Sequence, residues 1–370
     1  MGFHIVKREN CPLWKKLCFY LLAIVLGLGI GAILLISKEV DPIEYYIRVF
    51  TLGSAENVYP EMLLMNFYNK WVPLALTAVA LSLSFKMRFW NIGGEGQFIM
   101  GAIAATYIGF KCGHMDPTIV LVLMCLGAMI AAGLYGIIAA LLKVKFGTNE
   151  TLLTLMLNYI ALYFLQYIAQ TKEPWNIFLQ KNSPRPVFES LATELRFPSY
   201  PAPMVLEGFE LSLCVILVVV ISLLLYVYLR HTKQGYEISV VGDSANTARY
   251  AGMKVNWIVL RTVFLSASLI GLAASFKIGT SGTLSETITE DVGWTGIIVA
   301  WLAQLNTIAI LFVSYLICML QFGSVNANVV YPKIDANFAN ILQSALLFLV
   351  LAADFMIRFR IVRTRKGDNK

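Results

Sequence analysis

Residues 118–142 read TIVLVLMCLGAMIAAGLYGIIAALL, an apolar run without one charged side chain, entered through Asp116-Pro117 and left at Lys143. Roughly 20 apolar residues carry a helix across the hydrocarbon core of a bilayer, and only helices or closed barrels satisfy every backbone polar group there. The run is too long for a barrel strand, so it predicts a transmembrane helix. Comparable runs bounded by charge or by Pro and Gly clusters lie near 17–37, 72–86, 97–110, 151–170, 211–229, 256–276, 294–305, 307–323 and 337–357. The expectation is an all-α polytopic membrane protein, a single transmembrane domain over 1–370 with about ten transmembrane helices. The runs 72–86, 97–110 and 294–305 are short for a full span, which points to broken or re-entrant elements.

Composition agrees: the 370 residues are 58% hydrophobic and 14% charged, against roughly 45–50% and about 25% in soluble domains. The net charge of +7 does not imply nucleic acid, because the basic residues are spread through short loops and the C-terminal tail. They read as topology signals. Lys7, Arg8, Lys15 and Lys16, then Lys86 and Arg88, Lys143 and Lys145, Arg230, Lys233, Arg249 and Lys254, and finally Arg358, Arg360, Arg363, Arg365, Lys366 and Lys370 fall on one side. Both termini are therefore expected to be cytoplasmic. The segments 38–71, 171–210 and 277–293 carry Glu39, Asp41, Glu44, Glu56, Glu61, Glu189, Glu194, Glu286, Glu290 and Asp291 and are expected outside. Leu17–Ile36 follows a basic stretch as a signal peptide would, but its apolar core is too long and no small-residue cleavage site follows. Cys11, Cys18, Cys112, Cys125, Cys214 and Cys318 form no CxxC pair, so neither a metal site nor a disulfide framework is indicated.

The polar residues inside the apolar pattern carry the functional information. Asn91-Ile92-Gly93-Gly94-Glu95-Gly96-Gln97 lies between two apolar runs with almost no loop around it. Glycines permit unwinding or close backbone approach, and an intramembrane carboxylate must face protein or a watery path. Asn91, Gly93, Gly94, Glu95, Gly96 and Gln97 are thus candidates for a translocation pathway, with a packed cap on the next helix as the competing reading. Glu150, Thr154 and Asn158 recur every fourth residue and share an inward helical face, either as pathway lining or as interhelical hydrogen bonds. Gly27, Gly29 and Gly31 form a GxxxG-type packing face. Ser84-Phe85-Lys86 and Ser275-Phe276-Lys277 each end an apolar run ahead of a glycine-containing stretch, a faint echo that suggests two inverted five-helix halves.

The loop 230–255 is mildly apolar, and Ser244–Ala251 carries a capping serine and helical alanines, so a short surface helix seeking a partner is expected there. No Gly-Lys-Ser/Thr P-loop ending occurs, so the chain itself should not hydrolyse ATP. No HExxH, Gly-x-Ser-x-Gly or pair of intrahelical aspartates marks an intramembrane enzyme, and no catalytic residue is assigned.

Phe89–Gln97, Gly147–Thr151 through Met156–Tyr159, and Gly235-Tyr236-Glu237 through Ala248–Gly252 together resemble the permeases of bacterial nucleoside and simple-sugar ABC importers, relatives of the ribose and branched-chain amino acid permeases. The resemblance spans about 70 to 365. Trp90 departs from it, standing where another apolar residue is expected, and Ser244-Ala245-Asn246 varies a more acidic stretch. It implies a multi-pass protein of the bacterial inner membrane that works with a second permease subunit, homologous or identical, a cytoplasmic ABC ATPase and an extracytoplasmic solute-binding protein, with lipid around it and no nucleic acid. It implies no cofactor on this chain, ATP and Mg being held by the ATPase, and no metal. It also implies that Gly235, Tyr236, Glu237, Gly242, Ala248, Arg249, Tyr250, Ala251 and Gly252 couple to that ATPase. The alternative is an ion- or proton-coupled secondary transporter using Glu95 or Glu150.

Overall fold

The computed structural model describes residues 2–7, 12–52, 59–201, 210–334 and 337–364. Arg8, Cys11, Glu56, Arg365, Lys366, Lys370 and the 202–209 part of the loop expected outside lie beyond them. The helices are α1 (Leu13–Ser37), α2 (Pro42–Phe50), α3 (Pro60–Lys86), α4 (Gly94–Cys112), α5 (Pro117–Phe146), α6 (Glu150–Gln170), α7 (Leu213–His231), α8 (Lys233–Asp243), α9 (Ala245–Tyr250), α10 (Val255–Ser281), α11 (Val292–Leu302), α12 (Thr307–Val330) and α13 (Phe338–Arg358). Short strands accompany them: β1 (Gly2–Lys7) pairs antiparallel with β4 (Phe359–Thr364), and β2 (Ser199–Pro201) with β3 (Glu210–Ser212).

Among the described residues seven helices, α1, α5, α6, α7, α10, α12 and α13, contain stretches long and apolar enough to cross a bilayer. The chain is therefore an all-α polytopic membrane protein, with strands confined to its ends and one loop. Helix α11 is apolar but too short for that test, while α3 and α4 fall short of it because much of each is buried in protein and need not meet lipid. Every residue of α3 from Trp71 to Phe85 is buried, as is α4 from Gly94 to Ile99, so serines, threonines and glutamine replace lipid-facing leucines.

Local chemistry sets the helix starts. Asp116 accepts the Thr118 amide at 2.9 Å ahead of Pro117, and Asn149 accepts those of Thr151 and Leu152 at 3.0 and 3.3 Å. Gly147 closes α5 in the left-handed region at φ 67°. The run read as 72–86 is the last part of α3, which begins at Pro60 and passes through Pro73; Glu61, Asn66, Asn69 and Lys70 hid its first three turns. Likewise α12 continues past 323 to Val330. Helix α2 sits in a segment read as an outward loop, although Asp41 capping the amides of Ile43 and Glu44 before Pro42 is a legible start signal.

By its contacts the chain forms two compact units, 59–318 and a second made of 1–58 with 319–370. In the first, α10 packs on α3, α4 and α5. A Cβ at Gly271 would come within 2.2 Å of the Ala128 carbonyl oxygen, so only glycine lets α5 and α10 approach this closely. Ser266 donates to the Ala80 carbonyl at 2.7 Å, tying α10 to α3. The described part of the segment expected outside, 171–201, is folded onto the end of α10: the Leu191 amide donates to Gly282 O at 2.8 Å and that of Phe197 to Gly279 O at 3.1 Å. In the second unit α1 packs on α13. Gly27 receives Leu346, Gly31 receives Tyr46 and Leu342, and Gly29 meets nothing within 4 Å. Tyr46 donates to the Leu28 carbonyl at 2.6 Å, and Tyr45 packs edge-on against Phe338.

Candidate translocation site

After Lys86 the chain reverses through Arg88, whose φ of 57° is left-handed, and runs non-helically to Gly94, where α4 starts. Peptide groups released from helix need partners if they are kept from water, and α6 supplies them. Asn158 accepts the Gly96 amide at 2.8 Å and donates to the Ile92 carbonyl at 2.8 Å. The Thr154 hydroxyl accepts the Ile92 amide at 3.2 Å while donating to Glu150 O at 2.8 Å. Asn91 and Gln97 bond reciprocally across the break: Asn91 Nδ2 donates to Gln97 Oε1 at 3.1 Å, and Gln97 Nε2 to Asn91 Oδ1 at 3.0 Å. Asn91 Oδ1 also accepts the Gly93 amide at 3.1 Å.

Glu95 is 7% exposed and points at protein. Its Oε1 accepts the Gly293 amide at 2.9 Å and, more loosely, that of Trp294 at 3.4 Å. These are first-turn amides of α11, where the helix dipole favours a negative group. The approach is close: a Cβ on Gly293 would lie 2.4 Å from the Glu95 nitrogen. The starts of two helices thus meet, held by one carboxylate.

The structure brings Asn91, Gly93, Gly94, Glu95, Gly96, Gln97, Thr154 and Asn158 into one buried polar cluster. Glu150 stands apart from it, half-buried and paired with Lys143 at 2.7 Å. Below the cluster Trp90 stacks on Trp301, ring centroids 5.3 Å apart and planes 17° from parallel, and both lie against Phe85. Phe85, Arg88, Phe89, Trp90 and Trp301 line a cavity of about 150 Å³.

The segment 230–255 is two helices rather than one. Thr232 caps α8 by accepting the Gly235 amide at 3.1 Å, and Ser244 caps α9 by accepting that of Thr247 at 3.2 Å. Their inner faces join a single apolar cluster in which Ile238, Val241 and Ala248 are buried together with Met87, Phe89, Ala139 and Ala140. Gly242 lies against the end of α3, where a Cβ would come within 2.1 Å of the Lys86 carbonyl oxygen. Gly235 is likewise buried, and Glu237 pairs with Arg261 of α10 at 3.1 Å. Tyr236, Arg249, Tyr250, Ala251 and Gly252 face outward, Tyr250 being 93% exposed. Gly252 turns the chain at φ 75°.

Residues 63–351 match the family model for the permease component of the branched-chain amino acid transport system. The chain belongs to this family. The permease is similar to the nucleoside ABC transporter permease protein of Lactococcus lactis subsp. cremoris, 24% identical over 95% of this chain and 94% of the relative. It is similar also to the guanosine ABC transporter permease protein of Bacillus subtilis, at 26% over 94% and 96%. The glucose ABC transporter permease protein of Haloferax volcanii is 25% identical over 98% of this chain and 94% of its own. No solved structure matches. The permease is thus the multi-pass plasma-membrane subunit of an ABC importer for a small polar solute, a transport subunit and not an enzyme.

Sequence reasoning missed three features of the permease site. Nothing in a single sequence pairs Glu95 with Gly293, or Trp90 with Trp301, because each pair is about two hundred residues apart (198 between Glu95 and Gly293). Gly242 was named only as a coupling residue, and its close packing under Lys86 was not foreseen.

Proposed function

We propose that the permease imports a nucleoside or a simple sugar, and that an ABC ATPase drives it by moving 235–252 against the broken segment 91–97. The observation that carries this reading is the shared cluster of Ile238, Val241 and Ala248 with Met87 and Phe89. Load applied to the exposed face of α9 passes through packed side chains to the start of the break, since a close-packed interior transmits displacement. In the closed arrangement Asn91 and Gln97 bond each other, Thr154 and Asn158 bond the backbone of Ile92 and Gly96, and Glu95 bonds the first amides of α11. Opening the clasp between Glu95 and α11 frees them to line the route. Affinity belongs mainly to an extracytoplasmic binding protein, so the route needs polar groups that exchange partners easily.

The same reading supplies the topology. Helices α3, α4 and α11 complete a set of about ten with the seven apolar ones, both termini cytoplasmic. Two inverted halves would match α3 with α10 and α4 with α11, which accounts for two helix starts meeting at one carboxylate. At 11 residues, α11 is about 16 Å long, roughly half a span. A second permease subunit completes the pathway, and ATP and Mg reside on the ATPase. Nucleosides rank first because two of the relatives named above are nucleoside or guanosine permeases and an aromatic pair stands beside the break.

The test is uptake by proteoliposomes holding the permease, its ATPase and its binding protein, with labelled nucleosides and sugars compared. ATP-dependent nucleoside uptake that is lost in Arg249→Ala/Tyr250→Ala, with ATP hydrolysis no longer stimulated by the loaded binding protein, supports the proposal. Uptake that follows an ion gradient without ATP refutes it in favour of the secondary-transporter alternative.

A further inference from the structure

A second cavity, of about 290 Å³, is lined by Lys86 at the end of α3, by Tyr226, Leu229 and Arg230 in the last turns of α7, and by Gln304–Thr307 between α11 and α12. Its lining holds two cations and no carboxylate. Neither Lys86 nor Arg230 has an ion-pair partner among the described residues. Arg230 is steadied from the side, lying over the Tyr226 ring 5.7 Å from its centroid and donating to the Tyr226 hydroxyl, which leaves most of its guanidinium fork for another acceptor. Thr307 is 1% exposed, yet its hydroxyl has no hydrogen-bond partner. A buried hydroxyl left unsatisfied is costly, which calls for an occupant.

The backbone strengthens the case. Gln304 and Leu305 are both left-handed, at φ 51° and 59°, and this double reversal leads into Asn306 and Thr307, which line the cavity at the start of α12. Asn306 Oδ1 already takes the amides of Ile308 and Ala309 at 3.1 and 3.4 Å. The donors offered to a ligand are therefore the side chains of Lys86, Arg230 and Thr307, in the positive field of a 24-residue helix N-terminus.

We infer that this cavity binds a phosphate-bearing anion, through Lys86 and Arg230 as charge partners and Thr307 as a neutral donor. Two sources share that chemistry, a phospholipid headgroup and free phosphate. Because Gly242 of α8 packs on the Lys86 carbonyl, occupancy also braces the end of α3 beneath the proposed coupling loop.

The experiment uses the full-length permease in two settings. Thermal midpoints are compared in phosphatidylcholine nanodiscs with and without dioleoyl phosphatidylglycerol, and in detergent with inorganic phosphate titrated against chloride at matched ionic strength. The expected result is a raised midpoint with at least one probe, a half-saturating concentration about tenfold higher in Lys86→Gln and in Arg230→Gln, a weaker response in Thr307→Val, and recovery in Thr307→Ser. Lys145→Gln, which removes an exposed cation outside the cavity, responds as wild type. Stabilisation by the lipid alone assigns a headgroup, and by phosphate alone a soluble anion. No response to either probe, or equal responses in wild type, Lys86→Gln and Arg230→Gln, overturns the site. Arg230 is exposed, so Arg230→Gln leaves the packed interior intact and keeps the test decisive.

Discussion

Replacing Glu95 tests the clasp between α4 and α11 most directly. In Glu95→Ala the Gly293 amide, bonded at 2.9 Å, loses its acceptor inside protein, at about 1–3 kcal/mol. The Trp294 contact at 3.4 Å lies at the weak end and adds little. Loss of a negative group from the start of α11 adds about 0.3–1 kcal/mol, and up to about 2 in buried geometry. The removed methylene adds about 0.8 kcal/mol. The sum is about 2–5 kcal/mol. Glu95→Gln keeps an acceptor oxygen and the side-chain volume but loses the charge, so about 1–2 kcal/mol is expected. The assay is thermal unfolding in detergent followed by fluorescence-detected size exclusion, with uptake measured alongside. The midpoint should fall by several degrees in Glu95→Ala and by less in Glu95→Gln, both with impaired uptake. If Glu95→Gln matches wild type while Glu95→Ala does not, the carboxyl serves as a neutral acceptor and the helix-terminus argument fails. If both match wild type, the clasp carries no load.

Other consequences follow from the same geometry. Asn158→Ala strips partners from both Gly96 N–H and Ile92 C=O and should cost about 2–4 kcal/mol, whereas Asn158→Asp should rescue the first bond but not the second; melting midpoints of the two variants distinguish them. Gly242→Ala drives a methyl into the Lys86 carbonyl, so coupled uptake should drop at least tenfold in proteoliposomes while surface expression holds. Glu290 is subject to opposed influences, burial pushing its carboxyl up while Lys277 at 2.7 Å and Lys70 at 3.5 Å hold it below the usual range. A depressed folded value means that its contribution is complete above the usual carboxylate range and vanishes as pH falls through the depressed value. The midpoint gap between wild type and Glu290→Gln should therefore narrow as pH drops below about 4, and a constant gap would reject the ion cluster.

How far the sequence could be read depended on the range of each interaction. Apolar length is a local property, so the span of α5, the start signals at Asp116 and Asn149 and the capped α9 are visible in a window of a few residues. Helix α3 was cut short because the reading equated polarity with loop, and Glu61, Asn66, Asn69 and Lys70 fill its first turns ahead of the buried stretch Trp71 to Phe85. The break at 91–97 announced itself through glycines beside Asn, Glu and Gln. The structure shows the segment packed and hydrogen-bonded against α6 and α11; pathway lining belongs to the opening proposed above. Partners were illegible where they lie far along the chain, as Gly293 and Trp301 do.

That distance has a mechanical meaning. Segment 91–97 is held on one side by side chains of α6, Thr154 and Asn158, and on the other by a single carboxylate reaching the amides of α11. The α6 side makes bonds through donors and acceptors at several points, so it should move with the segment as one body. The α11 side depends on the one Glu95 side chain, which bonds the Gly293 and Trp294 amides and the Thr289 side chain just ahead of the helix, with Gly293 packed against the Glu95 backbone. Displacement delivered through Met87 and Phe89 should therefore separate α4 from α11 before it separates α4 from α6. An engineered disulfide between the starts of α4 and α11 should block transport, and one between α4 and α6 should spare it.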